Sequence, residues 1–326
     1  MIGYPEGGRA RNLWVRRLRP ARLGLEEHPP SVLVEAEPCE GGRTVEVATV
    51  FLSNRECPWS CVMCDLWKHA LPRRSPSGAV AAQVEEGVAA VPACPWIKLY
   101  NAGSLFDEAA IRPAERNAIA RAVGQFERVI VECHPALVGP SVSDFAARLG
   151  GRLEVAMGLE TACEETLAKL NKGVTLDGFA RAVAYLRRHG VEARAFVLLP
   201  PPFMTRAAGL ESAARSAVFA ESCGVRLTVI IPTRSGNGSL DALARVGQFE
   251  APDVRLLEAA LERAQACCCT SLVLADLWDV DALAACPVCL EARCERLRRM
   301  NCGQRPTPPV SCAACDHGAA AGGDPF

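Results

Sequence analysis

Three cysteines fall within eight residues of the stretch RECPWSCVMCDLWK, at Cys57, Cys61 and Cys64. No fourth ligand stands beside them. A closed zinc site wants four ligands, and a disulfide framework wants an even number of thiols. Three thiolates suit a centre that keeps one position open: they can hold three irons of a [4Fe–4S] cluster and leave the fourth iron for a small molecule. A second group lies near the C-terminus, where Cys286-Pro-Val-Cys289 and Cys312-Ala-Ala-Cys315 form two CxxC knuckles with 22 residues between them. Four soft thiolates in paired knuckles fit a tetrahedral structural zinc site. An auxiliary iron–sulfur cluster is the rival, with Cys294 and Cys302 as substitute ligands. Cys267, Cys268 and Cys269 are consecutive, would point three ways from a helix, and are read as incidental.

The elements that must position the first group are legible around it. Short apolar runs rich in β-branched residues predict strands at Thr44–Leu52, Trp96–Asn101, Arg128–Cys133, Leu153–Gly158, Ala193–Leu199 and Arg226–Ile231. Helical patterns alternate with them at Ala79–Val91, Arg112–Gly124, Val142–Leu149, Thr175–His189 and Leu210–Cys223, followed by a helix at Asp253–Cys269 and an apolar run at Ser271–Leu277. Strand–helix alternation implies parallel strands with right-handed crossovers, hence an open or barrel-like α/β array. Chemistry in such arrays gathers at the carboxyl ends of the strands. The strand ends here read SNREC, YNAGS, VECHP, MGLET, LLPPP and IPTRSGNG, and so bring Asn101, Gly103, Ser104, Glu132, His134 and Glu160 to one rim. The glycine-rich run Thr233–Ser239 matches no P-loop pattern.

Composition bounds the rest. Seventeen cysteines in 326 residues, without an apolar leader, point to a reducing cytoplasm, where they serve as metal ligands or buried small hydrophobes. No stretch approaches the ~20 apolar residues of a membrane helix. A net charge of -1 argues against a protein that mainly coats nucleic acid or an anionic membrane. Basic residues still cluster locally. Six arginines lie between Arg9 and Arg22, read either as a solvated arm or as a phosphate contact. Arg293, Arg296, Arg298, Arg299 and Arg305 between the knuckles suggest a basic surface beside a zinc ribbon. The expected organisation is therefore a basic arm (1–43), a barrel (44–278) and a cysteine-rich tail (279–326). The tail is expected to be ordered by zinc, which can supply on the order of 10 kcal/mol, and to end in a disordered GAAAGGDPF.

With these residues in view, Cys57-x3-Cys61-x2-Cys64 after a first strand resembles the radical S-adenosylmethionine (radical SAM) superfamily, over residues 44 to about 240. The resemblance implies a partial (βα)6 TIM-like barrel. Its cluster would bind the amino and carboxylate groups of SAM and cleave it reductively to a 5′-deoxyadenosyl radical. By position, Asn101, Gly103 and Ser104 stand where the superfamily holds the SAM amino group, and Glu160 where a polar residue meets the ribose. Glu132 and His134 are the candidate catalytic groups. Met63 replaces the aromatic residue that often precedes the last cysteine, and as an apolar, polarizable side chain it can still pack on an adenine.

The runs NRECPWSCVMCDLWK, KLYNAGSLFD, RVIVECHP, EVAMGLET, LNKGVTLDGFARAV and FVLLPPPF are similar to the branch near the elongator catalytic subunit that includes archaeosine biosynthesis. That implies modification of a tRNA deazaguanine, a flavodoxin- or ferredoxin-type electron donor and a separate lysine-transferring enzyme. Two alternatives stay open: a radical SAM enzyme acting on a non-nucleic-acid substrate with an auxiliary cluster, and a non-catalytic zinc-ribbon RNA-binding protein.

Overall fold

A computed structural model describes residues 3–22, 31–39 and 42–315; the expected disordered GAAAGGDPF lies outside the described residues. Eight strands form one sheet in sequence order: β1 (Ser31–Pro38), β2 (Thr44–Leu52), β3 (Trp96–Asn101), β4 (Arg128–Glu132), β5 (Arg152–Glu160), β6 (Glu192–Leu199), β7 (Leu227–Pro232) and β8 (Leu272–Ala275). Pairing from β2 to β8 is parallel, and the six expected strands are β2 to β7. β1 was not anticipated. It lies antiparallel on β2, from Ser31 opposite Phe51 to Pro38 opposite Thr44, and extends the sheet at its edge.

Helices cover the outer face. They are α2 (Ala79–Ala90), α3 (Pro113–Ala122), α4 (Pro140–Ala146), α5 (Glu164–Lys169), α6 (Leu176–Arg188), α7 (Arg206–Cys223), α8 (Ser239–Ala244) and α9 (Val254–Cys267). The main apolar core lies between these helices and the outward residues of the strands, such as Val50, Leu99, Val131, Val155 and Val197. This two-sided burial explains why the strands read as near-continuous apolar runs.

The inner face is different. Register aligns Val47, Thr49 and Phe51 of β2 with Trp96, Lys98 and Tyr100 of β3. Below them, charges interlock across five strands. Arg194 grips the Glu37 carboxylate with both terminal nitrogens (2.8 and 2.7 Å) and reaches Glu154 at 2.7 Å. Glu154 also accepts from Arg128 at 2.9 Å and Arg226 at 2.6 Å, and Lys98 pairs with Glu37 at 2.6 Å. All but Arg226 are buried. These counter-charges hold the Glu154 carboxyl down to about 2 and Glu37 lower still, despite burial. The network fills the amino-terminal end of the half-barrel, so the open end is the carboxyl rim.

Two sequence expectations are corrected. The arginine arm is not wholly solvated, although Arg9, Arg16, Arg17 and Arg22 stay exposed. It forms α1 (Gly8–Leu18), and Arg11, Arg16, Arg19 and Arg22 all bond to the rest of the protein. The tail is more than a metal-ordered ribbon: it contains α10 (Leu290–Gly303), whose Cys294, Leu297 and Met300 enter the main core. Arg293 and Arg296 are buried against Glu258 and Glu262 of α9, which leaves Arg298, Arg299 and Arg305 to form the basic surface. Both have one cause: a guanidinium that finds a carboxylate, hydroxyl or carbonyl elsewhere in the fold is not left to solvent alone.

α10 also answers how the sheet ends. Asn301 gives and takes bonds with the main chain of Ala275 (2.8 and 2.9 Å), and Gln304 does so with Val273 (2.8 and 3.1 Å). Two carboxamides thus stand in for a ninth strand on the β8 edge. The same helix packs against β1, so it spans the seam between the two unpaired edges.

Candidate active site

The three-cysteine loop follows β2 directly and is held from four directions. Ser53 exchanges bonds with Gln83 (2.8 and 3.0 Å), and Asn54 and Glu56 bond the main chain of Leu71 (2.8 and 3.1 Å). Val62 donates to Leu170 at 3.0 Å. Asn237 donates to the carbonyls of Val62 (2.9 Å) and Cys64 (3.2 Å). Asn171 and Arg16 hold Ser60, and Arg19 and Arg22 hold Glu56. Cys61 is buried, Cys57 and Cys64 half-buried.

Burial pushes all three thiols up, Cys64 to about 11, and Cys61 feels the charges of both the other thiols and of Lys172. Desolvated thiols with one lysine for counter-charge resist ionisation, and a cationic centre would favour their thiolates. Around them the protein sets a small-residue turn and unpartnered carboxamides. A Cβ added to Gly103 would sit 3.6 Å from Cys57 Cβ and 3.8 Å from the Asn101 carboxamide, so that turn meets the cysteine loop closely. Both side-chain polar atoms of Asn54 and of Asn101 are buried without a partner. The donor set, the close turn and the orphaned amides fit a [4Fe–4S] cluster with bound SAM. Met63 packs with the small core of Val15, Val62, Leu167 and Leu170.

The structure brings the other rim residues together. Glu132 accepts from the Asn101 amide at 2.9 Å, and burial raises its carboxyl to about 7. Ser104 is buried and accepts from the Phe106 amide at 3.3 Å, capping its own turn. His134 has both ring nitrogens in use. Nδ1 accepts from Ala136 N at 3.2 Å, which makes Nε2 the protonated nitrogen, donating to the Lys172 carbonyl at 3.0 Å. Its ring stacks on Trp59 at 3.5 Å, and burial holds it neutral, down to about 3. Glu160 sits at a bulge in β5 with φ 67° and accepts from Lys172 Nζ at 2.6 Å.

Sequence reasoning missed Lys172, Asn237, Asn54 and Trp59. Lys172 lies in LNKG, between Asn171 (φ 58°) and Gly173 (φ 73°), a left-handed pair that turns the lysine inward. Gly158 serves the same contact: a Cβ there would come within 2.3 Å of Lys172 Nζ and 2.1 Å of Glu160 Oε1. Above the ionic floor the mouth is aromatic. Tyr100 and Phe196 meet edge to face at 6.3 Å, and Phe51 packs on the half-exposed Trp278 at 5.5 Å, beside the Arg234–Asp276 pair at 3.2 Å.

In the tail, the sulfurs of Cys286, Cys289, Cys312 and Cys315 all lie within 4.8 Å of one another, with Cys289 and Cys315 at 3.7 Å. A Zn–S bond of about 2.3 Å in a tetrahedron puts sulfurs about 3.8 Å apart. The quartet is therefore sized for one ion, not for a cubane. Cys294 and Cys302 stand outside it, Cys294 in the main core. Arg293 donates to Cys289 Sγ at 3.1 Å and pairs with Glu258, tying the quartet to α9.

No known family profile matches the chain. Archaeosine synthase subunit beta of Methanosarcina acetivorans is 24% identical over 295 residues, 84% of each chain. The protein of the same name from Thermococcus kodakarensis is 28% identical over 131 residues, covering 38% of this chain and 40% of that one. Among solved structures, methylornithine synthase superposes with a TM-score of 0.53 at 13% identity, over 78% of this chain and 71% of that one. The fold is therefore shared with methylornithine synthase. In sequence, the chain is similar along most of its length to the archaeosine synthase beta subunit of Methanosarcina acetivorans. No helix among the described residues is long and apolar enough to cross a membrane.

Proposed function

We propose that this chain uses a [4Fe–4S] cluster on Cys57, Cys61 and Cys64 and SAM to modify a nucleoside, a tRNA deazaguanine of the archaeosine type. The observation that carries the reading is the pinned loop that holds three buried or half-buried thiols within eight residues at the carboxyl end of β2 in a parallel half-barrel. When bound, such a cluster supplies the electron that cleaves SAM to a 5′-deoxyadenosyl radical. The chain's own residues do the rest. Asn101, Gly103 and Ser104 form the turn for the SAM amino group, and Glu160, steadied by Lys172, faces the ribose. Glu132 is the candidate proton-bearing group at the rim, since a carboxyl near pH 7 can give or take a proton there. His134, with both nitrogens engaged, serves by holding the Lys172 loop over Trp59.

The aromatic mouth and its Arg234–Asp276 pair support a flat, hydrogen-bonding substrate such as an unstacked base. The relative's name supports a product of the archaeosine type; tRNA as its carrier, a flavodoxin- or ferredoxin-type electron donor, a separate lysine-transferring partner and a cytoplasmic setting belong to the same proposal and rest on the sequence resemblance. The tail quartet holds zinc, as its sulfur spacing favours over an auxiliary cluster.

The test is anaerobic reconstitution with iron and sulfide, then dithionite, SAM and tRNA, quantifying 5′-deoxyadenosine beside a Cys57/Cys61/Cys64→Ala triple variant. Product from the wild type alone is the expected result. A wild type that takes up no iron overturns the reading in favour of a zinc-ribbon RNA-binding protein. Cleavage that ignores tRNA and deazaguanine nucleosides but responds to another substrate overturns the nucleoside assignment only.

A further inference from the structure

Two carboxamides beside the cysteine loop have no protein partner. Asn54 is 0% exposed and Asn101 is 5% exposed, and all four of their side-chain polar atoms are buried and unbonded. A buried amide left unmade costs on the order of 1–3 kcal/mol per group, so two such carboxamides beside a cysteine loop call for a partner from outside the chain, water or ligand. Their setting says which ligand. The main chain of 54–56 is clamped to Leu71, which fixes where the Asn54 side chain starts, three residues before Cys57. Leu52 and Asn101 are the last paired residues of β2 and β3, so the loop that carries Asn54 and the turn that carries Gly103 leave the sheet from neighbouring strand ends. Gly103 is where the turn meets Cys57, close to the Asn101 amide nitrogen.

We infer that Asn54 is a positioning residue for the metal centre, its carboxamide N–H donating to a sulfur of the cluster that Cys57, Cys61 and Cys64 would hold. The inference rests on the cluster reading above. An N–H donor to a cluster sulfur stabilises the reduced, more negative state, so it raises the reduction potential. Leucine has the shape of asparagine without its polar atoms. In the metal-free protein Asn54→Leu removes an unsatisfied group and leaves stability equal or higher. In the reconstituted protein it removes the donor.

The experiment pairs two measurements on Asn54→Leu and wild type. One is thermal unfolding of the full chain after removal of iron; the other is a potentiometric titration of the reconstituted cluster followed by electron paramagnetic resonance. The expected result is an unchanged or raised midpoint without iron and a more negative potential with the cluster. Asn54→Asp, which trades the donor for an acceptor, should move the potential the same way. An unchanged potential overturns the inference. So does a loss of several degrees in the iron-free Asn54→Leu protein, because the amide would then serve the fold itself. Failure of the wild type to assemble a cluster is a different outcome and sinks the cluster reading instead.

Discussion

Glu160 and Lys172 form an ion pair at 2.6 Å in which neither side chain is more than 14% exposed. Removing one partner strands the other in a site where the thiols already resist ionisation. Lys172→Met should therefore cost about 3–5 kcal/mol in urea unfolding. The Glu160→Gln/Lys172→Met double variant should recover much of that, and a double-mutant cycle reads the coupling directly. Glycine at 158 belongs to the same contact: Gly158→Ala should destabilise although alanine suits a strand better, because its Cβ lands on that pair. Glu132 reports on pH. Its carboxyl is raised in the fold from 4.5 to about 7, so the folded state binds the proton more tightly than the unfolded chain. Its contribution is complete below pH 4.5 and fades as pH rises toward 7. Glu132→Gln should flatten that part of the stability profile, by a difference on the order of 2 kcal/mol between pH 5 and pH 8.

At the scale of elements, the ionic floor of the half-barrel is where burial and charge compete most directly. Arg194 is 1% exposed and serves two carboxylates from two strands. Arg194→Met should cost several kcal/mol, about 3–5, because Glu37 and Glu154 stay buried with less counter-charge. The sign with pH follows from their depressed ionisation. The network stabilises fully above 4.5, and its contribution disappears as pH falls from there toward 2. Urea midpoints between pH 2 and 6 should show that fall in the wild type, and Arg194→Met should begin to lose stability at higher pH. A floor built this way also settles which end of the barrel is open, since no substrate passes through interlocked, buried charges.

For the whole molecule, the tail is part of the barrel. α10 covers the seam between β1 and β8, its carboxamides saturate the β8 edge, and Arg293 ties the cysteine quartet to α9. A metal at the quartet would hold both ends of this brace. Chelation by a strong zinc ligand should release one zinc per chain and lower the unfolding midpoint of the full protein, with readdition of zinc restoring it. Cys289→Ser should bring the same loss without chelator. Zinc content measured after reconstitution separates this from a second iron–sulfur cluster, which would instead raise iron above four per chain.

By itself the sequence determined the element order and the six central strands, because parallel strands buried on both faces must be short apolar runs and their crossovers amphipathic helices. It also carried both cysteine groups, since ligand spacing along the chain is a covalent fact. What it could not carry were the partners of charged residues. Arg11, Arg16, Arg19, Arg22, Arg293 and Arg296 read as basic surface, and only folding brought each to its carboxylate, hydroxyl or carbonyl. β1 was hidden for a related reason: Glu35 and Glu37 break its apolar pattern, and they are tolerated only because Lys98 and Arg194 meet them across the sheet. Lys172, Asn54 and Asn237 became visible as site residues in the same way. A lone polar residue has no periodicity to betray it, and its role exists only in contacts between segments far apart in the chain.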